Sequence, residues 1–117
     1  MEPGGTFNSD ELLERTGNDH AFAAELIALF LPQSPQLLDQ IRKAAGGSDS
    51  AALASAAHAI RGCLATLSAT RALKTAIVLE TMGKDRNMEA APQTCEVLSS
   101  ELAALYSELS AFVREVH

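Results

Sequence analysis

Leu53-Ala54-Ser55-Ala56-Ala57-His58-Ala59-Ile60-Arg61-Gly62-Cys63-Leu64-Ala65-Thr66-Leu67 decides how this chain folds. Its core-type positions Leu53, Ala57, Ile60, Leu64 and Leu67 fall at steps of four, three, four and three. That spacing keeps one helical face apolar from end to end, as a helix buried in a bundle requires. With the stripe turned inward, His58 lies on an adjacent face with Ala54, Arg61, Gly62 and Ala65. Residues three and four apart are neighbours on a helix surface, so two alanines, a glycine and a guanidinium surround the imidazole. Glycine inside a helix costs about 0.5–1 kcal/mol relative to alanine. A helix that accepts this cost beside an imidazole points to clearance for a large partner.

Working outward, Ser48 or Asp49 caps this helix and Ser68 marks a short break after it. A following helix is predicted from Ala69 to Met82, with Leu73, Ala76, Ile77 and Leu79 inward and Gly83 as its stop. The last helix carries Leu98, Leu102, Leu105, Leu109, Phe112 and Val116 on one face. It starts either at an Asn87 cap with an irregular first turn or with Pro92 near its first position.

Toward the N-terminus, Asn18 or Asp19 caps a long helix whose apolar positions include Phe22, Leu26, Leu29, Leu37 and Ile41. Pro32 and Pro35 predict a kink near Leu31–Ser34 rather than two separate helices, because the apolar phase resumes at Leu37. This helix ends at Gly46-Gly47. Ile27 and Leu31 lie four apart and off the main stripe, which makes them a candidate exposed docking pair. A short helix from Ser9 to Thr16, capped by Asn8 or Ser9, stops at Gly17. Residues 1–6 read as a disordered leader and residues 7–117 as one domain. Short connections make neighbouring helices antiparallel. The expected fold is all-α: an antiparallel four-helix bundle with a short additional N-terminal helix.

Composition narrows function. The 117 residues are 47% hydrophobic but only 4% aromatic, without Trp, so the core is aliphatic and alanine-rich. A net charge of −6 argues against nucleic acid and against an anionic membrane surface as partners. Cys63 and Cys95 have no metal-ligand spacing, and two cysteines define no disulfide framework, which suits a reduced, cytoplasmic setting. The start Met1-Glu2-Pro3-Gly4-Gly5 has no signal-peptide character, and no apolar stretch approaching about 18 residues is evident. No Gly-rich phosphate loop is present for ATP.

The site chemistry then follows from His58. Neutral imidazole is a competent nucleophile, with an unperturbed pKa of about 6.5. A phosphoryl group on it would bring negative charge that Arg61 can offset. The segment Ala56-Ala57-His58-Ala59-Ile60-Arg61-Gly62 resembles the motif of histidine-containing phosphotransfer (HPt) domains: His, any residue, aliphatic, Lys or Arg, Gly. Leu12-Leu13-Glu14-Arg15-Thr16-Gly17 and Leu26-Ile27-Ala28-Leu29-Phe30 resemble that family's first two helices. Leu79-Glu80-Thr81-Met82-Gly83-Lys84 resembles its Leu-Glu-x-x-Gly-Arg/Lys turn. The likeness spans roughly residues 7 to 116. Two departures are Cys63, where the family often has Ser, and Thr66-Leu67-Ser68, where it often has Asn-Leu-Gly.

The resemblance implies a relay in which His58 accepts a phosphoryl group from a receiver-domain aspartyl phosphate and passes it to another receiver aspartate. It makes Arg61 the phosphate-stabilising neighbour and Gly62 the docking clearance, with Ala54, Ala65, Ile27 and Leu31 as further docking residues. No cofactor is expected on this chain, and magnesium belongs to the receiver partner. The domain is expected to be a cytoplasmic monomer, free-standing or part of a hybrid sensor histidine kinase, without kinase activity of its own. The alternative is a helical adaptor of the same fold that binds signalling partners without using the histidine. A sensor-kinase dimerisation region ranks lower, because five helical segments already complete a bundle in one chain.

Overall fold

The computed structural model describes residues 8–116, except for the side chains of residues 115 and 116. The proposed leader, His117 and the inward position of Val116 lie outside that description. Among the described residues, six helices follow in order: α1 (Ser9–Arg15), α2 (His20–Phe30), α3 (Gln33–Gly46), α4 (Ser50–Thr66), α5 (Thr70–Asp85) and α6 (Ala91–Val116). Asn8, Asp19 and Asp49 cap α1, α2 and α4, each side chain accepting from the amide three residues on at 3.0–3.1 Å. α4 packs most heavily on α5 and next on α3, while α5, α3 and α2 all meet α6. With α2 and α3 forming one broken wall, this is the expected four-helix bundle. The short helix α1 closes one end, where the Asn8 amide and Arg15 reach Ser68.

The stripe that decided the fold is the core of the bundle. Leu53, Ala57, Ile60, Leu64 and Leu67 are fully buried, together with Leu98, Leu102, Leu105 and Leu109 of α6 and Leu12 of α1. Phe112 is only partly buried. Burial of a leucine or isoleucine side chain stabilises by about 1.5–3 kcal/mol, and alanines fill the gaps where helices approach closely.

Other expectations are corrected. The prolines do more than kink the second helix. Its hydrogen-bond ladder ends with the Leu31 amide on the Ile27 carbonyl at 2.8 Å and a new helix starts at Gln33, although Leu31 and Pro32 keep right-handed helical angles. Pro32 and Pro35 have no N–H to donate, and the Ser34 amide turns to the Leu31 carbonyl at 3.2 Å. The phase of α2 also differs from the one predicted. Ala23, Ala24 and Ile27 face inward, while Phe22 and Leu29 are exposed. Residues 20–46 form a run long and apolar enough to cross a membrane by length and composition alone. The expectation of no such stretch therefore fails. Within the bundle, Ile27, Leu38 and Ile41 of that run are core residues.

Helix ends depend less on glycine than the sequence suggests. α1, α3, α4 and α5 each end with a left-handed residue: Gly17, Ser48, Ser68 and Arg86. At each end the next amide reaches back five residues, as Asn87 does to Met82 and Ala69 to Leu64. Gly83 is thus not the stop of α5 but a buried interior residue. Asn87 belongs to the end of α5, and regular α6 begins at Ala91 with Pro92 in its first turn. Ile77, predicted inward, is exposed.

Candidate functional site

α4 presents His58 on its outer face, with 70% of the side chain exposed. Ala59, Gly62 and Ala65 are also exposed around it, so no bulky side chain of α4 screens the ring. The imidazole is nonetheless fixed. Its Nδ1 lies 2.9 Å from Oε2 of Glu80, which α5 brings across from the neighbouring wall. Glu80 is 4% exposed. Its other oxygen, Oε1, accepts from Arg61 Nη1 at 2.6 Å, and Lys84 Nζ stands 3.2 Å from Oε2. One buried carboxylate is thus shared by the imidazole and two cations.

This arrangement sets the protonation of the group. The Arg61 hydrogen bond is the largest influence on the Glu80 carboxyl, burial opposes it, and His58 and Lys84 add to Arg61. The result is a value lowered from 4.5 to about 2. Glu80 is therefore ionised at neutral pH and can only accept hydrogen bonds. At 2.9 Å from it, Nδ1 must carry the proton. A neutral ring then has its lone pair on Nε2, the nitrogen not engaged by Glu80.

Arg61 and Lys84 sit at the site, but both are bound to Glu80 rather than free. Two cations share this one carboxylate, so the cations outnumber it by one at the face where an anion would arrive. Gly62 has open space: a Cβ built there meets nothing within 4 Å. Ala65 adjoins Arg15, which donates to the Ala65 carbonyl at 2.8 Å and to Ser68 Oγ at 3.1 Å. The departure at Ser68 is accommodated because its left-handed backbone is held from α1 by Arg15 and the Asn8 amide. Ala54 is half-buried against α5 rather than open. Cys63 is buried and packs near Gln33, and burial raises its thiol.

The exposed docking pair predicted on the second helix is corrected at Ile27. Ile27 is 1% exposed and belongs to the core, and Leu31 is partly buried against it. Both line an apolar groove of about 540 Å³ between α2 and α6, not the His58 face. Sequence reasoning also missed Glu80 as a member of the site. A signal was available: Glu80 falls one turn after Ala76 and three residues before Gly83, on the buried side of α5. A carboxylate in such a slot needs a partner.

The site is thus an exposed helical histidine, oriented by a buried carboxylate and flanked by cations and small residues, on an open surface rather than in an enclosed cleft. The family model of the Hpt domain matches residues 25–112, three quarters of the chain, so this chain belongs to the Hpt domain family. It is a histidine phosphotransfer intermediate of a two-component relay, of the kind that exchanges phosphoryl groups with receiver domains. Its fold is similar to the crystal structure of histidine-containing phosphotransfer protein B (HptB) from Pseudomonas aeruginosa PAO1. That likeness has a TM-score of 0.87 and 18% identity, covering 96% of this chain and 97% of the other. No curated protein matches the sequence.

Proposed function

We propose that His58 Nε2 is the atom that takes and returns the phosphoryl group. The carrying observation is the 2.9 Å contact between Nδ1 and the buried Glu80 carboxylate on an otherwise exposed ring. In the forward step the Nε2 lone pair attacks phosphorus of a receiver aspartyl phosphate. The Nε2–P bond forms, the P–O bond breaks, and its electron pair leaves on the aspartate carboxylate. Nδ1 keeps its proton, so the phosphorylated ring carries positive charge that Glu80 balances from 2.9 Å. Transfer to a second receiver reverses these bonds. Arg61 and Lys84 lie at the rim, where either can turn from Glu80 toward phosphoryl oxygens.

Magnesium belongs to the receiver's acidic pocket in this reading, and the chain carries phosphate without consuming ATP itself. It works in the cytoplasm as a monomer, since one chain supplies every wall of the bundle. Its partner is the receiver of a hybrid sensor kinase or of a separate regulator. The test is incubation with a phosphorylated receiver and magnesium, followed by assay for acid-labile, base-stable label on the chain. Label is expected on the native protein and absent from His58→Gln. Label retained in that variant overturns the assignment.

A further inference from the structure

Gly83 lies where α5 and α4 touch backbone to backbone. A Cβ built on it would stand 2.6 Å from the Ala54 amide nitrogen, 2.7 Å from the Ser50 carbonyl oxygen and 2.9 Å from the Ala54 Cα. All three are main-chain atoms, so no side-chain rotation can relieve the overlap. Any larger residue must move one helix away from the other.

The site is one turn from this contact. Ala54 precedes His58 by four residues on α4, and Gly83 follows Glu80 by three on α5. The two helices are antiparallel, so both steps run the same way along the interface. At about 1.5 Å per residue, the His58–Glu80 pair sits about 5–6 Å from the point that fixes helix separation. The Glu80 contacts with His58 and Arg61 cross the interface, whereas its contact with Lys84 stays within α5. Separating the helices would stretch the first two and leave the third intact.

We propose that Gly83 is a positioning residue for phosphotransfer: its missing side chain sets the α4–α5 spacing that lets Glu80 hold the proton on His58 Nδ1. This deepens the relay reading above and rests on it for the rate, but not for the imidazole geometry. A hydrogen bond at 2.9 Å has little room, since contacts near 3.6 Å no longer count as one. A carboxylate that retreats with α5 stays paired to Lys84 and releases the ring. Nδ1–H then loses its advantage over the other tautomer, and the phosphorylated ring loses its nearest counter-charge.

The test reads the tautomer directly. Nitrogen-15 NMR of the His58 ring at pH 8.5, well above the ordinary imidazole value of about 6.5, reports which nitrogen holds the proton in the full chain. The native protein is expected to show mainly Nδ1–H. Gly83→Ala is expected to shift the population toward Nε2–H and slow receiver transfer on the order of 10- to 100-fold. Leu102→Ala, a core cavity on α6 away from the contact, controls for lost stability and is expected to leave the tautomer in place. Glu80→Asp withdraws the carboxylate by one methylene without touching the crossing, and should reproduce the tautomer shift.

A native tautomer in Gly83→Ala overturns the proposal, as does an equal shift in Leu102→Ala. If Gly83→Ala does not fold, Glu80→Asp decides: an unmoved tautomer there overturns the proposal. If the native protein accepts no phosphoryl group, the relay reading fails while the tautomer measurements still settle the role of Gly83.

Discussion

Gly62 and Gly83 both sit inside helices within one or two turns of His58, yet they face opposite environments. A Cβ at Gly62 would enter open space, while one at Gly83 would run into the backbone of α4. The fold therefore requires glycine at 83 and has no steric use for it at 62. Gly83 sets the distance between the walls that carry His58 and Glu80. Gly62 lies on the exposed side of α4, where only a docked partner would notice an added side chain. The two missing side chains thus face different surroundings, one the neighbouring helix and the other solvent.

The comparison breaks most directly on stability. Gly83→Val sets an isopropyl group against main-chain atoms and is expected to lose about 3 kcal/mol or more. Gly62→Val is expected to stay within about 0.5 kcal/mol of native. Urea unfolding midpoints at unchanged slope measure both. Equal losses would show that the two positions do not differ in the way their surroundings imply. On transfer, unlike on stability, a bulky residue at 62 also has a large effect. Gly62→Trp should keep the fold and slow receiver transfer on the order of tenfold or more by displacing the docked partner. A native rate in Gly62→Trp would remove the clearance argument.

Legibility follows the same division. The α4 stripe and the His58–Arg61–Gly62 patch were readable because their spacing lies within one helix and is marked by aliphatic residues. The α2 phase was misread because Ala23 and Ala24 face the core while the larger Phe22 and Leu29 face out. A pattern weighted toward large side chains rotates such a helix, and so Ile27 was expected on the surface. The stop of α5 was misread at Gly83 because Arg86, not a glycine, adopts the left-handed conformation there. Glu80 escaped because its role depends on a partner 22 residues away on another helix. Its place one turn after Ala76 signals a carboxylate in need of a partner, but nothing local to α5 says which partner.

Glu80 connects the two glycine environments, and its neutral variant gives an intermediate effect. Glu80→Gln keeps the shape but gives up the charge that holds Arg61 and Lys84. Both cations remain open to water, so the expected loss is only about 1–2 kcal/mol at pH 7. The pH dependence has a definite sign. The carboxyl lies at about 2 in the folded protein against an ordinary 4.5, so the unfolded chain binds the extra proton between those values. Its contribution is complete above 4.5 and fades as pH falls toward 2. The stability gap between native protein and Glu80→Gln should therefore narrow across that window, measured by urea unfolding at stepped pH. A gap that stays constant from pH 6 to 2.5 would mean the carboxylate is not held by these cations.

The smallest expected effect is the most discriminating for Gly62. In a helix interior with open space around the new methyl, Gly62→Ala should gain about 0.5–1 kcal/mol, because alanine restricts the unfolded chain and favours the helix. The methyl itself is small beside the neighbouring Ala59 and Ala65, so transfer should fall only slightly. A domain more stable than native yet no faster in the relay would show that glycine at 62 is retained for the partner and at the expense of the fold. If Gly62→Ala instead destabilises the protein, some contact of α4 within the bundle depends on that glycine. The contrast with Gly83 would then lose its basis.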